Sequence, residues 1–519
     1  MYDVAVVGFG PAGEVATSTL GAAGHRVVAF DRQPKMYPLP RMVTFDGEAC
    51  RTVQSTGTSI DKALESSSIL YTCTFTDENL DPVMTIDWGG RQGGFEAHRS
   101  VFQPDIEATL DEKIRTMPNV EVRRGFEIVE LQQHPDFVEL TVQPKGSIDP
   151  TERETVTARY VIGADGTNSI VRQKSGIEWK DYGLHERWLN FDMNLKRELD
   201  DELRHLVLAM DPKRPHMYMP LGTLRQRFEF RVHEDETEEQ MMNPQVVWDF
   251  IDEHYGLGPD DLEIARQLVY HYYTRVATEW RKDRVFIAGD AAHTMTPYMG
   301  QGGCSAIRDG RNIAWRLDLV LKGVSEDGIL DDYQVEREAH VSQLVFTSHE
   351  FSNLINMTDP VKAAERNHAI INHLAPPPPP FPKLEGGALH REPDGTIAPI
   401  TGSLAPQGTL RKGAVTGRGD DVLQSGFQLI SRTQPELTPE QASFFADLGG
   451  AIAVVGDPSA PDAVEDVDGE YTRFLDQAGA DAYIMRPDWY IFGAVRCDDL
   501  GRLVDELAER LRERVGASK

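Results

Sequence analysis

The residues best placed to do chemistry are glycines and aspartates at three points where an apolar run ends. Gly8-Phe9-Gly10-Pro11-Ala12-Gly13 matches G-x-G-x-x-G. Asp165-Gly166 closes a second apolar run, and Gly289-Asp290 a third, followed by Pro297, Gly300, Gly302, Gly303 and Cys304. The chemistry this pattern offers is the binding of an anionic dinucleotide. The first glycine of the fingerprint allows a tight turn, the second lets backbone approach a pyrophosphate, and the third packs helix on strand. A helix N-terminus beyond them attracts phosphate charge.

The elements needed to position these residues can be read around them. Val4-Ala5-Val6-Val7 is a short β-branched run, as expected of a buried parallel strand. A helix follows through Leu20, Ala22 and Ala23, ends at Gly24-His25, and gives way to a strand Val27–Phe30 that stops at Asp31. Strand, glycine turn, helix, strand and terminal acid together make the full fingerprint, with Asp31 placed for a ribose diol and Arg32 beside it. Ala158–Gly163 predicts a strand running into Asp165-Gly166, with a helix opening at Ser169-Ile170-Val171-Arg172. Asp283–Asp290 predicts another, leading through Ala291-Ala292-His293-Thr294 to a long helix from Cys304 to about Lys322. An acid at a strand end can bind a ribityl or ribose hydroxyl. The positive end of the long helix would stabilise negative charge on a flat ring laid against it.

A fingerprint, a DG motif and a GD motif in this order resemble the group A flavoprotein monooxygenases of the para-hydroxybenzoate hydroxylase fold. The resemblance implies FAD as the dinucleotide, held by Gly8, Gly10, Pro11, Ala12, Gly13, Asp31, Arg32, Asp165, Gly166, Gly289 and Asp290. It implies that Pro297, Gly300, Gly302 and Gly303 surround the flavin ring, with the backbone N–H groups of Gly303 and Cys304 at its N1–C2=O edge. Many members have Met-Asn where this chain has Gly303-Cys304; a backbone contact should survive that change. Tyr37-Pro38-Leu39-Pro40-Arg41 and Gln103-Pro104-Asp105-Ile106-Glu107 resemble the 3-(3-hydroxyphenyl)propionate hydroxylase branch, in which Arg41 would lie over the flavin and Gln103 would touch the cofactor. The implied reaction is a monooxygenation. NADPH or NADH reduces FAD, O2 adds to give a flavin C4a-hydroperoxide, and one oxygen atom passes to an aromatic, phenolic ring. Baeyer–Villiger or epoxidising chemistry on a natural product would use the same motifs. A non-oxygenating FAD reductase, or a non-catalytic FAD protein, is the reading from another class.

The fold expected is α/β: a Rossmann-like FAD domain from residues 1–70, 99–182 and 278–360, interleaved with an α+β substrate domain from 71–98 and 183–277. Segments Leu70–Ile86, Trp188–Leu195 and His216–Val232 have strand-like composition and are expected to form one antiparallel sheet over the flavin. In Arg225–Arg231 the alternation predicts an inward aromatic face and a solvated charged face. Of the arginines, Arg225 is kept as a candidate for an anionic substrate or the NADPH phosphates. His216 and Tyr218 lie on a strand that passes the substrate pocket in the family. Residues 361–420 read as a helical end and a Pro/Gly-rich arm. Residues 421–519, with Arg486-Pro487-Asp488-Trp489-Tyr490, resemble an appended thioredoxin-like domain. Without a CxxC it is expected to serve structural support or homodimer packing.

Composition narrows the partners. The chain has 519 residues, 53 Lys+Arg against 83 Asp+Glu and a net charge of −30. That balance argues against sequence-independent binding of nucleic acid or of an anionic membrane. No apolar run approaches the length of a membrane span, and no basic, cleavable leader precedes the first strand. The four cysteines have no metal-ligand spacing, so no metal is expected, and the cytoplasm is the default compartment.

Overall fold

The opening run folds as the strand Tyr2–Val7 in a computed structural model that describes every residue except Pro378, Ser425 and 513–519. One proline of the Pro376–Pro380 run and the last residues of the tail therefore lie outside the described residues. Val4, Ala5 and Val6 are inaccessible to solvent because parallel neighbours, Val27–Asp31 and Glu154–Gly163, flank the strand on both edges. Val120–Arg124 and Val285–Ile287 extend the parallel set. Antiparallel Phe126–Gln133 and Val138–Pro144 help complete a mixed eight-stranded sheet. The helix Pro11–Ala22 covers it, with Pro11 in the first turn, where an N–H would lack a partner anyway. The helix Gly302–Leu321 packs on that helix at Gly310, where a Cβ would overlap the Ala12 carbonyl. Parallel register brings Val7, Phe30, Gly163 and Ile287 level with one another. Gly8, Asp31, Asp165 and Gly289 thus emerge at one edge, the carboxyl ends where α/β sheets bind ligands.

A second sheet runs in the order His293–Thr294, Leu262–Ala277, Trp179–Leu195, Arg225–Arg231, His216–Pro220, Leu206–Ala209, Thr72–Thr76, Pro82–Asp87. It is antiparallel except where Leu206–Ala209 lies parallel to Thr72–Thr76. The wholly antiparallel expectation fails there because the chain leaves after Pro82–Asp87, builds part of the first sheet, and returns without a hairpin. Leu189, Phe191, Phe228 and Phe230 share one face, closed by Val247, Phe250 and Ile251 of the helix Pro244–Tyr255. The other face carries Asn190, Asp192, Arg227 and Glu229 and is pressed against the first domain. The charged face expected in solvent is therefore interior: Arg227 and Glu229 are 2% and 3% exposed.

Two helices, Asp332–Ile355 and Pro360–Ile371, precede the proline run. The arm beyond it contains a hairpin, Thr409–Lys412 with Val415–Arg418, which pairs with Glu465–Asp466. A four-stranded sheet in the order Ala451–Val454, Gln428–Ser431, Ala482–Met485, Ile491–Val495 follows. The last helix sets Leu500, Leu503, Val504, Leu507 and Leu511 into the chain's own main core. The apolar face of that helix is therefore covered within the chain.

Arg486-Pro487-Asp488-Trp489-Tyr490 ties this tail to the long helix. Arg486 donates to both Glu336 oxygens at 2.7 and 2.6 Å and to Asp488 at 3.0 and 2.6 Å. Arg311 donates to the Pro487 carbonyl at 2.9 and 2.7 Å, and Trp315 to Asp488 at 3.0 Å. Burial alone would raise the Glu336 carboxyl, but the Arg316 and Arg486 guanidiniums hold it well below the usual range.

Removing one charge from such a buried cluster leaves the others uncompensated, so Glu336→Gln should cost roughly 3–5 kcal/mol and lower the melting temperature in calorimetry. A depressed carboxyl stabilises the fold above its unfolded pKa of about 4.3. The gap between wild type and variant should begin to close as pH drops below that value, and vanish once pH falls through the lower folded one.

Candidate active site

The three fingerprint glycines are glycine for different reasons. Gly8 has φ +97°, and a Cβ there would overlap the Ala164 carbonyl. At Gly13 a Cβ would overlap the Gly8 carbonyl, so these two fix the turn and the helix-to-strand contact. Gly10 instead faces open space, the nearest atom to its notional Cβ being Glu107 Oε1 at 3.9 Å. The bare backbone there suits a pyrophosphate at the start of the helix Pro11–Ala22. Asp31 accepts the Gln33 N–H at 2.7 Å through Oδ1, and its Oδ2 lies 4.0 Å from Arg124. Arg32 is exposed beside it.

The DG and GD segments complete the edge. Gly166 has φ +81° with nothing close, while the Asp165 carboxylate accepts the Ile170 and Val171 N–H groups and the Ser169 hydroxyl. Asp165 thus shapes the turn by capping the short helix Ile170–Lys174. Gly289 donates its N–H to Asp309 at 3.0 Å, and Asp309 also holds His293 at 2.7 Å and Arg337 at 2.9 Å. This buried trio fixes the loop that presents Asp290. Asp290 is itself exposed; the protein around it raises its carboxyl, opposed by His293 and Arg41. Pro297–Met299 makes one helical turn, and Gly300 (φ +62°) lies against Thr44, so a side chain there is excluded. Gly302 and Gly303 open the long helix, with Met42 packed on Gly303. Cys304 is buried, its thiol pushed well up by burial and directed at the Thr44 carbonyl. It is a packing residue at the helix start and no nucleophile.

Arg41 and Gln103 are placed differently. Arg41 is exposed, its guanidinium 4.8 Å from the Tyr37 ring centroid, and its charge lowers both Glu107 and Asp290 across the cleft. Gln103 is committed within the protein: Oε1 accepts the Arg41 and Met42 N–H groups at 2.8 and 2.7 Å, and Nε2 donates to Glu107 at 2.8 Å. It sets the Arg41 loop, and Glu107 is the residue of that motif that faces Gly10. Sequence reading passed over Glu107, and over Glu14, whose carboxylate is fully buried without a partner. Burial raises Glu107 to about 7 and, with the Glu107 charge, raises Glu14 well above the usual range. An acid three residues into a helix gives no outward sign of this.

The charged face of the second sheet closes over the edge. Arg227 pairs with Asp192 at 2.7 and 3.0 Å and donates to the Pro40 carbonyl at 3.0 Å; Arg266 also reaches Pro40 and donates to Tyr270. Tyr298, in the Pro297 turn, donates to Glu186 at 2.6 Å and meets Trp188 edge-on. Asn190, Glu229 and Tyr272 are linked on this face through Asn190 Nδ2, at 2.8 Å from Glu229 Oε1 and 3.0 Å from the Tyr272 hydroxyl, the side on which a substrate pocket over the flavin is expected. His216 and Tyr218, expected at that pocket, point the other way: Tyr218 packs on Tyr255 and His216 on Phe250, under the helix Pro244–Tyr255. Alternation set them on the apolar face. Arg225 does share the charged face, but lies over the Phe102 ring at 3.8 Å.

Comparisons with known proteins agree with this geometry. Residues 1–348 match the family model described as FAD binding domain, and 402–510 match HcaD C-terminal domain. The chain is 33% identical to a probable NADH-specific resorcinol 4-hydroxylase of Rhodococcus jostii, covering 97% of this chain and 94% of that protein. It is 30% identical to a 3-(3-hydroxy-phenyl)propionate/3-hydroxycinnamic acid hydroxylase of Escherichia coli over 98% and 94%. In fold it resembles the flavin-dependent monooxygenase PieE, crystallised with FAD and substrate (TM-score 0.80, 20% identity, 98% and 99% covered). It likewise resembles aklavinone-11 hydroxylase (TM-score 0.75, 20% identity, 98% and 99% covered).

Gly10→Ala should fold and melt like wild type without FAD, yet bind FAD at least about tenfold more weakly in a fluorescence titration. Gly13→Ala should lower the melting point itself. Ionisation of Glu107 places a negative charge before the pyrophosphate, so wild-type FAD affinity should fall as pH rises through about 7. Glu107→Gln should flatten that dependence.

Proposed function

This chain belongs to the FAD-dependent aromatic hydroxylases, and from that membership we propose that it adds one hydroxyl group to a neutral phenolic ring, with NADH as the preferred reductant. FAD, when bound, supplies hydride acceptance from the nicotinamide and activation of O2. The protein's residues do the rest. Gly10 and the helix behind it take the pyrophosphate, Asp31 a ribose diol, and Asp290 the ribityl chain. The N-terminus of Gly302–Leu321 stabilises the anionic edge of the reduced ring, and Arg41 adds a positive charge over the cleft.

One observation carries the substrate class: the cations on the pocket face are already engaged. Arg227 and Arg266 are held by Asp192, the Pro40 carbonyl and Tyr270, Arg231 by the Asn356 carbonyl, and Arg225 by the Phe102 ring. What faces the ring is hydroxyl, amide and carboxyl: Tyr272, Asn190 and Glu229. Such a surface recognises ring hydroxyls and disfavours a carboxylate, whose desolvation would go uncompensated. This favours a substrate like that named for the Rhodococcus relative over a phenylpropionate. NADH preference follows the same relative. The closed sheet-to-loop contact through Pro40 keeps water from the reacting ring. Unpaired thiols suit a reducing, cytoplasmic compartment, and no described helix is long and apolar enough to cross a membrane.

Turnover of resorcinol under labelled O2, followed by mass spectrometry, tests this. One labelled oxygen per product and one NADH consumed per turnover are expected, with 3-(3-hydroxyphenyl)propionate a poorer substrate. NADH oxidation without labelled product across a phenol panel would refute the hydroxylase assignment for these substrates.

A further inference from the structure

Glu229 is a buried carboxylate on the pocket face with one oxygen left over. Its Oε1 accepts from Asn190 Nδ2 at 2.8 Å and lies 3.6 Å from Arg227 Nη1, whereas Oε2 has no hydrogen-bond partner. The same Asn190 nitrogen donates to the Tyr272 hydroxyl at 3.0 Å, which leaves the Tyr272 proton to be given elsewhere. Tyr272 also neighbours Tyr298 of the Pro297 turn. An unpaired acceptor and an unassigned donor therefore lie together on the sheet face nearest that turn.

We propose that Glu229 takes the proton of the substrate's ring hydroxyl while Tyr272 donates a hydrogen bond to the same oxygen. This rests on the phenol hydroxylase reading above. The phenol O–H bond breaks, a new O–H bond forms at Glu229 Oε2, and the electron pair stays on the ring oxygen. From there it delocalises to the ring carbons ortho and para, which become the nucleophilic positions. When the product regains its aromatic hydroxyl, the proton returns to it and Glu229 is again a carboxylate.

The surroundings suit a proton acceptor. Burial pushes Glu229 up to about 7; Arg227 and Arg266 pull it down and Asp192 pushes it up. Tyr270 and Tyr272, both raised chiefly by burial, remain protonated beside it. A base near neutrality combines a large ionised fraction with useful proton affinity, and such catalysis contributes on the order of 10²–10⁴ in rate.

The test uses FAD-loaded enzyme with resorcinol as probe. In wild type, kcat/KM should rise with pH through a midpoint near 7 to a plateau above it, and resorcinol binding, read by perturbation of the flavin absorbance, should tighten over the same range. In Glu229→Gln both dependences should be lost and kcat should fall on the order of 10²–10⁴-fold, with FAD content unchanged. Tyr272→Phe should keep the pH limb at a lower rate. A Glu229→Gln enzyme with wild-type rate and pH limb overturns the proposal. Should that variant fail to retain FAD, wild type alone decides: resorcinol binding that is as pH-independent as that of its dimethyl ether overturns it. If wild type hydroxylates no phenol, the function reading fails, while the binding comparison still measures the Glu229 contact.

Discussion

A buried guanidinium must find acceptors before the chain can close around it, and the helix Gly302–Leu321 buries Arg308, Arg311 and Arg316. Each draws in a different part of the molecule. Arg308 takes Asp46, Glu48 and Gln301; Arg311 takes the Pro487 carbonyl; Arg316 takes Glu336. The first of these locks the Thr44–Glu48 segment, whose Thr44 presses on Gly300 and accepts from Cys304. The second and third dock the tail and the helix Asp332–Ile355. One helix thus opens at Gly302-Gly303 and also ties together the segments packed around that start. Such clusters add little net stability over an apolar core of the same shape, but breaking one is expensive. Their effect here is to make the arrangement specific.

The same logic operates on the other side of the cleft. Pro40 offers its carbonyl to Arg227 and Arg266, so the loop carrying Arg41 is held from above by the substrate sheet and from below by Gln103. Loop and sheet are thus bonded to each other directly. The polar face of the sheet can be charged and yet interior because Asp192 compensates both arginines, and Glu229, left without full compensation, is the group whose proton affinity rises.

What was legible in the sequence follows from how local each cause is. Gly8, Gly13 and Gly166 are demanded by backbone within a few residues, and their motif reads directly. The strand edge follows because strands in parallel register must end together. The faces of Arg225–Arg231 were separated correctly by alternation, but alternation cannot say which face is covered when both are. That choice depends on the helix Pro244–Tyr255, placed over the aromatic side, and on a loop nearly two hundred residues earlier. His216 and Tyr218 were misplaced for the same reason. The long strand Trp179–Leu195 held the missing signal: Asn190 and Asp192 alternate with Leu189, Phe191 and Met193. A strand with a polar and an apolar stripe, each too regular for a surface, indicates two buried faces. The tail's role depended on long-range docking through Arg486 and Asp488, which no local pattern encodes.

The strongly negative chain and its anionic cofactors present an apparent conflict that burial resolves. Charge on the surface is screened over about a Debye length of 8 Å in physiological salt, so most of the −30 is weakly felt at the cleft. The acids that matter are those beside the bare Gly10 backbone, Glu14 and Glu107. Two carboxylates buried near one another cannot both ionise cheaply. Burial raises both, and each ionisation would raise the other, so the pair carries less negative charge than its formula suggests. Low dielectric thus lessens the negative charge that these acids set beside Gly10. The same effect, acting on Glu229 across the cleft, raises that acid to about 7 while its Oε2 has no hydrogen-bond partner.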